Sequence, residues 1–259
     1  MKITTLLENT ACDERLIAEH GLSLYIETKD CRILFDMGQT DAFAKNARTL
    51  GVDLARVDLA VLSHGHYDHG GGLATFLRLN DHAPVYVSRR AFGSYYNGAE
   101  KYIGLDPALE NSGRLVFVDD MKLLGESMAL YSCNRRKPVR ALNPYGLGKK
   151  ENGVLVPDDF MHEQVLLIEE DERRVLFSGC SHKGIINLVS WFRPDVLVGG
   201  FHLAKVEEEA VLRDTAEVLL EYPAQYYTGH CTGQAQFAAL KAMMGDRLQS
   251  LGTGKVFDV

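Results

Sequence analysis

The chain has 259 residues, 46% of them hydrophobic and 24% charged, with a net charge of −7. That supplies ample material for a core and a polar surface, while the acidic balance argues against a nonspecific binder of nucleic acid or anionic lipid. No window approaches the ~18 consecutive apolar residues of a membrane span, and five cysteines without a Cys-x-x-Cys pair give neither a disulfide framework nor a zinc knot.

Apolar runs mark strands over Ile3–Leu7, Leu22–Thr28 and Arg32–Asp36, followed by a helical pattern from Asp41 to Leu50. Ahead of the first strand there is no apolar leader with a small-residue cleavage site, which predicts a cytoplasmic protein. The run Val57–Leu62 reads as a buried strand, with a helix near Leu73–Leu79 and a strand over Pro84–Ser88 beyond it. Residues 89–160 are punctuated by Gly, Asn and Pro and are expected to be an irregular insertion of loops over the site, where substrate selection commonly resides. Strands follow at Val165–Glu169 and Arg174–Ser178, then a helix near Gly184–Phe192 and a strand at Val196–Gly199. A helix over Val206–Leu220, a strand at Gln225–Thr228 and a last helix after Gly233 complete the pattern.

Strands that first pair locally and then alternate with helices predict an α/β fold. Two mixed sheets would be sandwiched between helical layers, αββα, in a single domain over residues 1–259. The segments Val61–His66 and Leu176–His182 are faintly alike, a hint of a duplicated half.

Chemistry concentrates at Ser63-His64-Gly65-His66-Tyr67-Asp68-His69-Gly70-Gly71-Gly72, where three imidazoles and one carboxylate follow a strand directly. His64 and His66 are spaced i, i+2, so extended backbone sends both side chains to one side. The glycines then allow a sharp turn into a helix, past which Asp68 and His69 can reach a second ion. Imidazoles with a carboxylate suit zinc, iron or manganese rather than calcium or magnesium.

The pattern His-x-His-x-Asp-His after an apolar strand resembles the signature of the metallo-β-lactamase fold superfamily. Ile33-Leu34-Phe35-Asp36-Met37-Gly38, Val175-Leu176-Phe177-Ser178-Gly179-Cys180 and Tyr227-Thr228-Gly229-His230 are similar to its other elements, in the same order. Glu19-His20-Gly21-Leu22-Ser23-Leu24, Gly179-Cys180-Ser181-His182 and Gly200-Phe201-His202-Leu203 resemble a subgroup labelled dihydropterin ribofuranosyl-aminobenzene phosphate synthase-like. The resemblance implies the αββα sandwich and a site for two divalent ions, Zn or alternatively Mn or Fe. It also implies His64, His66, Asp68, His69 and His230 as ligands.

Cys180 stands where most of the superfamily has a bridging Asp. It reads as a thiolate ligand favouring zinc, as a small buried filler, or more remotely as a nucleophile. The superfamily's third histidine for the first ion is displaced here, and the candidates are His182 and His162. His182 is preferred because it lies on a loop at the ligand edge. Asp36 is expected to hold a ligating imidazole through its second ring nitrogen, with a plain turn before Gly38 as the alternative. His202 and, more weakly, His20 are expected to bind substrate, and Asp68 and His202 to transfer protons. His82, beside Asp81, reads as a surface residue.

These residues together predict a hydrolase using a metal-activated hydroxide on an ester, phosphoester or related bond of a small molecule. A pterin-phosphate transferase using the same metals to bind the leaving group is the alternative, and a di-iron redox protein a remote one. No nucleic-acid or membrane partner is expected, and the sequence leaves the oligomeric state open.

Overall fold

Alternation along the central strands decides which layer each side chain joins. In the computed structural model, which describes residues 1–259, the first half runs β1 (Lys2–Leu7), β2 (Ser23–Glu27), β3 (Arg32–Phe35), α1 (Ala42–Thr49), β4 (Leu59–Val61), α2 (Tyr67–Gly70), α3 (Leu73–Leu79) and β5 (Val85–Ser88). The middle holds β6 (Tyr95–Asn97), β7 (Lys101–Tyr102), β8 (Leu115–Val118), β9 (Met121–Leu123), β10 (Met128–Tyr131), β11 (Leu147–Glu151) and β12 (Val154–Pro157). The remainder is β13 (Val165–Glu170), β14 (Arg173–Ser178), α4 (Ile185–Phe192), β15 (Val196–Gly199), α5 (Glu209–Leu220), β16 (Gln225–Thr228), α6 (Gln234–Met244), β17 (Leu248–Ser250) and β18 (Val256–Asp258).

Ile33 and Phe35 of β3, and Val175 and Phe177 of β14, join one apolar cluster between the two large sheets. Leu34, one residue out of phase, packs instead with Phe43 and Phe76 under α1 and α3. Leu176 packs with Leu188, Leu219 and Leu240 under α4, α5 and α6. This period of two fills both faces of each sheet, so the layers stack as helix, sheet, sheet, helix. The αββα sandwich is therefore the fold of this chain. Phe35 and Phe177 meet across the sheets with ring centroids 6.0 Å apart. On α5, buried Leu212, Thr215, Ala216 and Leu219 recur at helical spacing. No helix is long and apolar enough to cross a membrane.

The first sheet has the order β18-β1-β2-β3-β4-β5-β8, antiparallel up to β3 and parallel beyond it. In the second, β17-β16-β15-β14-β13-β10-β9, strands β14 to β17 are parallel and the rest antiparallel. Each sheet thus changes from antiparallel to parallel at one strand, β3 or β14. The two strand orders are therefore alike, though not in the register of the faint likeness in the sequence. The switch strand β14 is the counterpart of β3, whereas the similarity of Val61–His66 to Leu176–His182 had matched it with β4.

Two expectations need correction. The middle segment is not irregular: β8 completes the first sheet, β9 and β10 extend the second, and β6, β7, β11 and β12 form a small antiparallel sheet, β12-β11-β6-β7. Two further strands, β17 and β18, follow the last helix, and β18 pairs with β1. Some boundaries also shift inward; the helix expected from Val206 starts at Glu209.

Candidate metal centre

The carboxyl ends of β3, β4, β14, β15 and β16 converge on one edge of the sandwich, the usual place for a site in a sheet with parallel strands. There the chain turns sharply. Asp36, Ser181, His202 and His230, just past β3, β14, β15 and β16, have left-handed backbones with φ of 59°, 57°, 54° and 48°. Such residues cost about 1–3 kcal/mol each unless their surroundings hold them. Here they are held: His230 N–H donates to Glu8 Oε1 (2.6 Å), Ser181 N–H to Ser178 Oγ (3.1 Å), His202 N–H weakly to Cys231 Sγ (3.3 Å), and the Asp36 carbonyl accepts from Ser23 Oγ (2.8 Å). Gly179 is required by close approach, since a Cβ there would lie 2.1 Å from Ser63 Oγ and 3.0 Å from His64 Nδ1.

Hydrogen bonds fix the tautomers. His69 Nδ1 donates to Asp36 Oδ2 at 2.6 Å. Ser63 Oγ spends its one proton on Asp36 Oδ2 (2.7 Å), so it accepts from His64 Nδ1 at 2.8 Å. Asn9 Oδ1 already accepts Gly21 N–H, which orients the amide so that His230 Nδ1 donates to it at 3.0 Å. In the neutral form of all three rings the Nε2 lone pair is therefore the one left free.

Those lone pairs face one another. His69 Nε2 lies 3.1 Å from His230 Nε2, and His64 Nε2 lies 3.3 Å from His182 Nε2. Two nitrogens bound to one tetrahedral zinc at 2.0–2.1 Å stand about 3.3–3.4 Å apart. Buried His66 Nε2 and His182 Nδ1 have no hydrogen-bond partner. A divalent ion in each cluster would turn the facing Nε2 atoms and His66 Nε2 into ligands, with His182 offering one of its two nitrogens, so the residues present fit two metals.

Charge supports this. Burial, reinforced by neighbouring imidazoles, holds His64 and His182 well below the usual histidine range and His66 down to about 3, so this triad stays neutral and able to ligate. For His69 burial works the same way, but Asp36 and Asp68 overcome it and push the ring up to about 9. His69 thus calls for a positive charge, either its own second proton or a cation at Nε2. Burial alone would raise Asp68, yet His69, His20 and His230 hold it well below the carboxylate range.

The structure brings His64, His66 and His182 together, with ligand atoms within 4.8 Å of one another. Asp68 Oδ2 lies 3.3 Å from His230 Nε2 and 3.8 Å from His69 Nε2. Cys180 Sγ lies 3.2 Å from His69 Nε2. His162 is buried nearby but committed elsewhere. Its Nδ1 accepts Gly65 N–H at 3.0 Å, so its Nε2 carries the proton that goes to Asp158 at 3.1 Å, leaving no free lone pair. His20 sits at the mouth, 3.3 Å from Asp68 Oδ2, with its side chain 55% exposed. His202 lines the same cavity beside His182, at 4.3 Å between ring centroids. His82 is exposed, and the hydrogen-bond partner of its ring is Asp81.

Sequence reasoning missed Glu8, Asn9 and Glu163. Glu163 accepts the backbone N–H of both His182 (2.7 Å) and Lys183 (2.8 Å), as Glu8 does for His230. The only available signal was an acidic residue at the end of an apolar strand, as at Leu6-Leu7-Glu8. Cys231 was also passed over, although it lines the cavity. This cavity, of about 340 Å³, opens above the imidazoles and is further lined by Tyr67, Lys101, Tyr145, Leu147 and Lys205. Three of those five, Lys101, Tyr145 and Leu147, come from the middle segment.

A model of the metallo-beta-lactamase superfamily matches residues 17–226, and the chain belongs to that superfamily. It is 27% identical, over 90% of its own length and 88% of the relative's, to the 7,8-dihydropterin-6-methyl-4-(beta-D-ribofuranosyl)-aminobenzene-5'-phosphate synthase of Methanocaldococcus jannaschii. An uncharacterized protein of the same organism is 31% identical over 89% of this chain and 90% of that one. The crystal structure of Tm1679, a metal-dependent hydrolase of the beta-lactamase superfamily, matches with a TM-score of 0.82 at 27% identity, covering 100% of this chain and 99% of that one.

Proposed function

We propose that this protein is a dinuclear metal-dependent hydrolase that cleaves an ester, phosphoester or related bond of an anionic small molecule. The observation that carries this reading is the pair of facing imidazole clusters at the floor of one cavity, with the Nδ1 atoms of His64, His69 and His230 committed to other partners. His64, His66 and His182 would hold one ion; Asp68, His69 and His230 would hold the other, with Cys180 beside them. Two divalent ions, zinc first among the candidates, would polarise a carbonyl or phosphoryl oxygen and lower the pKa of a water.

The side chains around them have separable parts. Asp36 fixes His69 directly and His64 through Ser63, and Asn9 fixes His230, so three ligands arrive with the correct nitrogen presented. Asp68, kept ionised by the imidazoles around it, can take a proton from attacking water. His20 bonds Asp68 and reaches solvent, which makes it the route by which that proton leaves. Lys101 and Lys205 place positive charge on the cavity wall, and Tyr67 and Tyr145 offer flat surfaces. An anionic substrate with a planar portion suits that lining.

The second reading, a synthase acting on a pterin phosphate with an aromatic nucleophile in place of water, is favoured by the named methanogen relative. Turnover in 18O-labelled water separates the two. Metal-loaded protein should be screened against phosphodiesters, lactones and pterin phosphates. A hydrolase places one labelled oxygen in its product. A product joined to an added arylamine and free of label would overturn the hydrolase in favour of the synthase.

A further inference from the structure

Beside the two imidazole clusters lies a third group of soft donors, of which the hydrolytic reading uses only Cys180, as a neighbour of the second ion. Cys231 is buried, and its Sγ accepts only the His202 N–H, a weak bond at 3.3 Å. Gly200 makes room for that sulfur, because a Cβ at residue 200 would lie 2.3 Å from it. Cys231 Sγ also lies 3.5 Å from the Cys180 carbonyl oxygen, which brings the two thiol-bearing loops into contact. The Cys180 and Cys231 sulfurs and a His202 ring nitrogen are all within 4.8 Å of one another. His202 Nδ1 is buried without a hydrogen-bond partner. All three residues line the cavity. Two thiols used merely as apolar fillers have no need of an imidazole between them, nor of a glycine that opens space for sulfur.

We propose that Cys180, His202 and Cys231 form a further cation subsite on the cavity floor, selective for thiophilic ions such as Zn2+, Cd2+ or Cu+. Two thiolates and one imidazole make a soft donor set, and such sets of three leave a tetrahedral ion one position open, here towards the cavity. The subsite discriminates against Mg2+, Ca2+ and Mn2+, which prefer oxygen. It stands independently of the reaction proposed above, because its test reads binding rather than turnover.

The test is cadmium binding by full-length protein, stripped with chelator and kept reduced. Cys12 and Cys31 lie towards the surface and take up some cadmium themselves, so the comparison is between wild type and Cys231→Ser, which share them. The wild type should bind one equivalent more than Cys231→Ser, and the variant should lose about half of the thiolate-to-cadmium absorption that Cys180→Ser/Cys231→Ser loses. Equal stoichiometry and equal absorption would overturn the subsite. Circular dichroism checks that the variant is folded. If it is not, His202→Ala decides instead: it keeps both thiols and should weaken that equivalent at least tenfold, and unchanged affinity would refute the proposal.

Discussion

Replacing Asp36 tests how far the centre depends on a residue that touches no substrate. Its buried carboxylate accepts Ser63 N–H (2.7 Å), Ser63 Oγ–H (2.7 Å) and His69 Nδ1–H (2.6 Å). In Asp36→Asn one oxygen can still serve Ser63 N–H, but an amide nitrogen then faces both Ser63 Oγ and His69 Nδ1. His69 must move its proton to Nε2, where it points at the second ion, or leave two donors opposed. Losing such a partner weakens metal binding about 10–100-fold, which is about 1.4–2.7 kcal/mol. In Asp36→Ala, Ser63 N–H and His69 Nδ1–H both lose their acceptor, at about 1–3 kcal/mol each, so the apoprotein should lose roughly 2–6 kcal/mol of stability. Zinc affinity by competition with a chromophoric chelator, and chemical denaturation of the stripped protein, read the two effects separately. If Asp36→Asn binds both ions as tightly as wild type, the argument that Asp36 sets the His69 tautomer is wrong.

The ligand assignments make further predictions. His182→Ala should remove about one equivalent of metal and abolish turnover, whereas His162→Ala should lower the melting temperature and keep metal content, because His162 has no free lone pair; the reverse pattern by elemental analysis would exchange their roles. Cys180→Ser should weaken the ion beside His69 more than the one beside His64, a difference visible as biphasic zinc release to chelator, and uniform release would reduce Cys180 to packing. Asn9→Ala, which removes the acceptor of His230 Nδ1, should weaken the same ion about 10–100-fold, measured by the same competition; unchanged affinity would mean that His230 needs no partner.

Local patterns made much of this molecule readable from its residues. The helix expected over Leu73–Leu79 and the strands expected over Val196–Gly199 and Gln225–Thr228 have those bounds in the structure, since a run of apolar residues flanked by turn formers carries its own signal. The middle segment did not read this way. Strands β6, β7 and β9 have two or three residues each, too few to show alternation, and Met121, Lys122 and Leu123 of edge strand β9 are all exposed. Strand β18 gains its conformation by pairing with β1 at the opposite end of the chain, a contact no window can display. The histidine-rich turn declared itself because its donors are contiguous. Asn9, Glu8 and Glu163 act through hydrogen bonds that span 222 residues from Glu8 to His230, 221 from Asn9 to His230 and 19 from Glu163 to His182. Before folding they are ordinary polar residues.

The account rests on two ions held by two facing sets of side chains. Anomalous X-ray diffraction from crystals of zinc- or manganese-loaded protein tests it most directly. One peak should lie within bonding distance of His64, His66 and His182, and another within bonding distance of Asp68, His69 and His230. Crystals with no anomalous peak at either position, from protein that takes up no transition metal by elemental analysis, would contradict it.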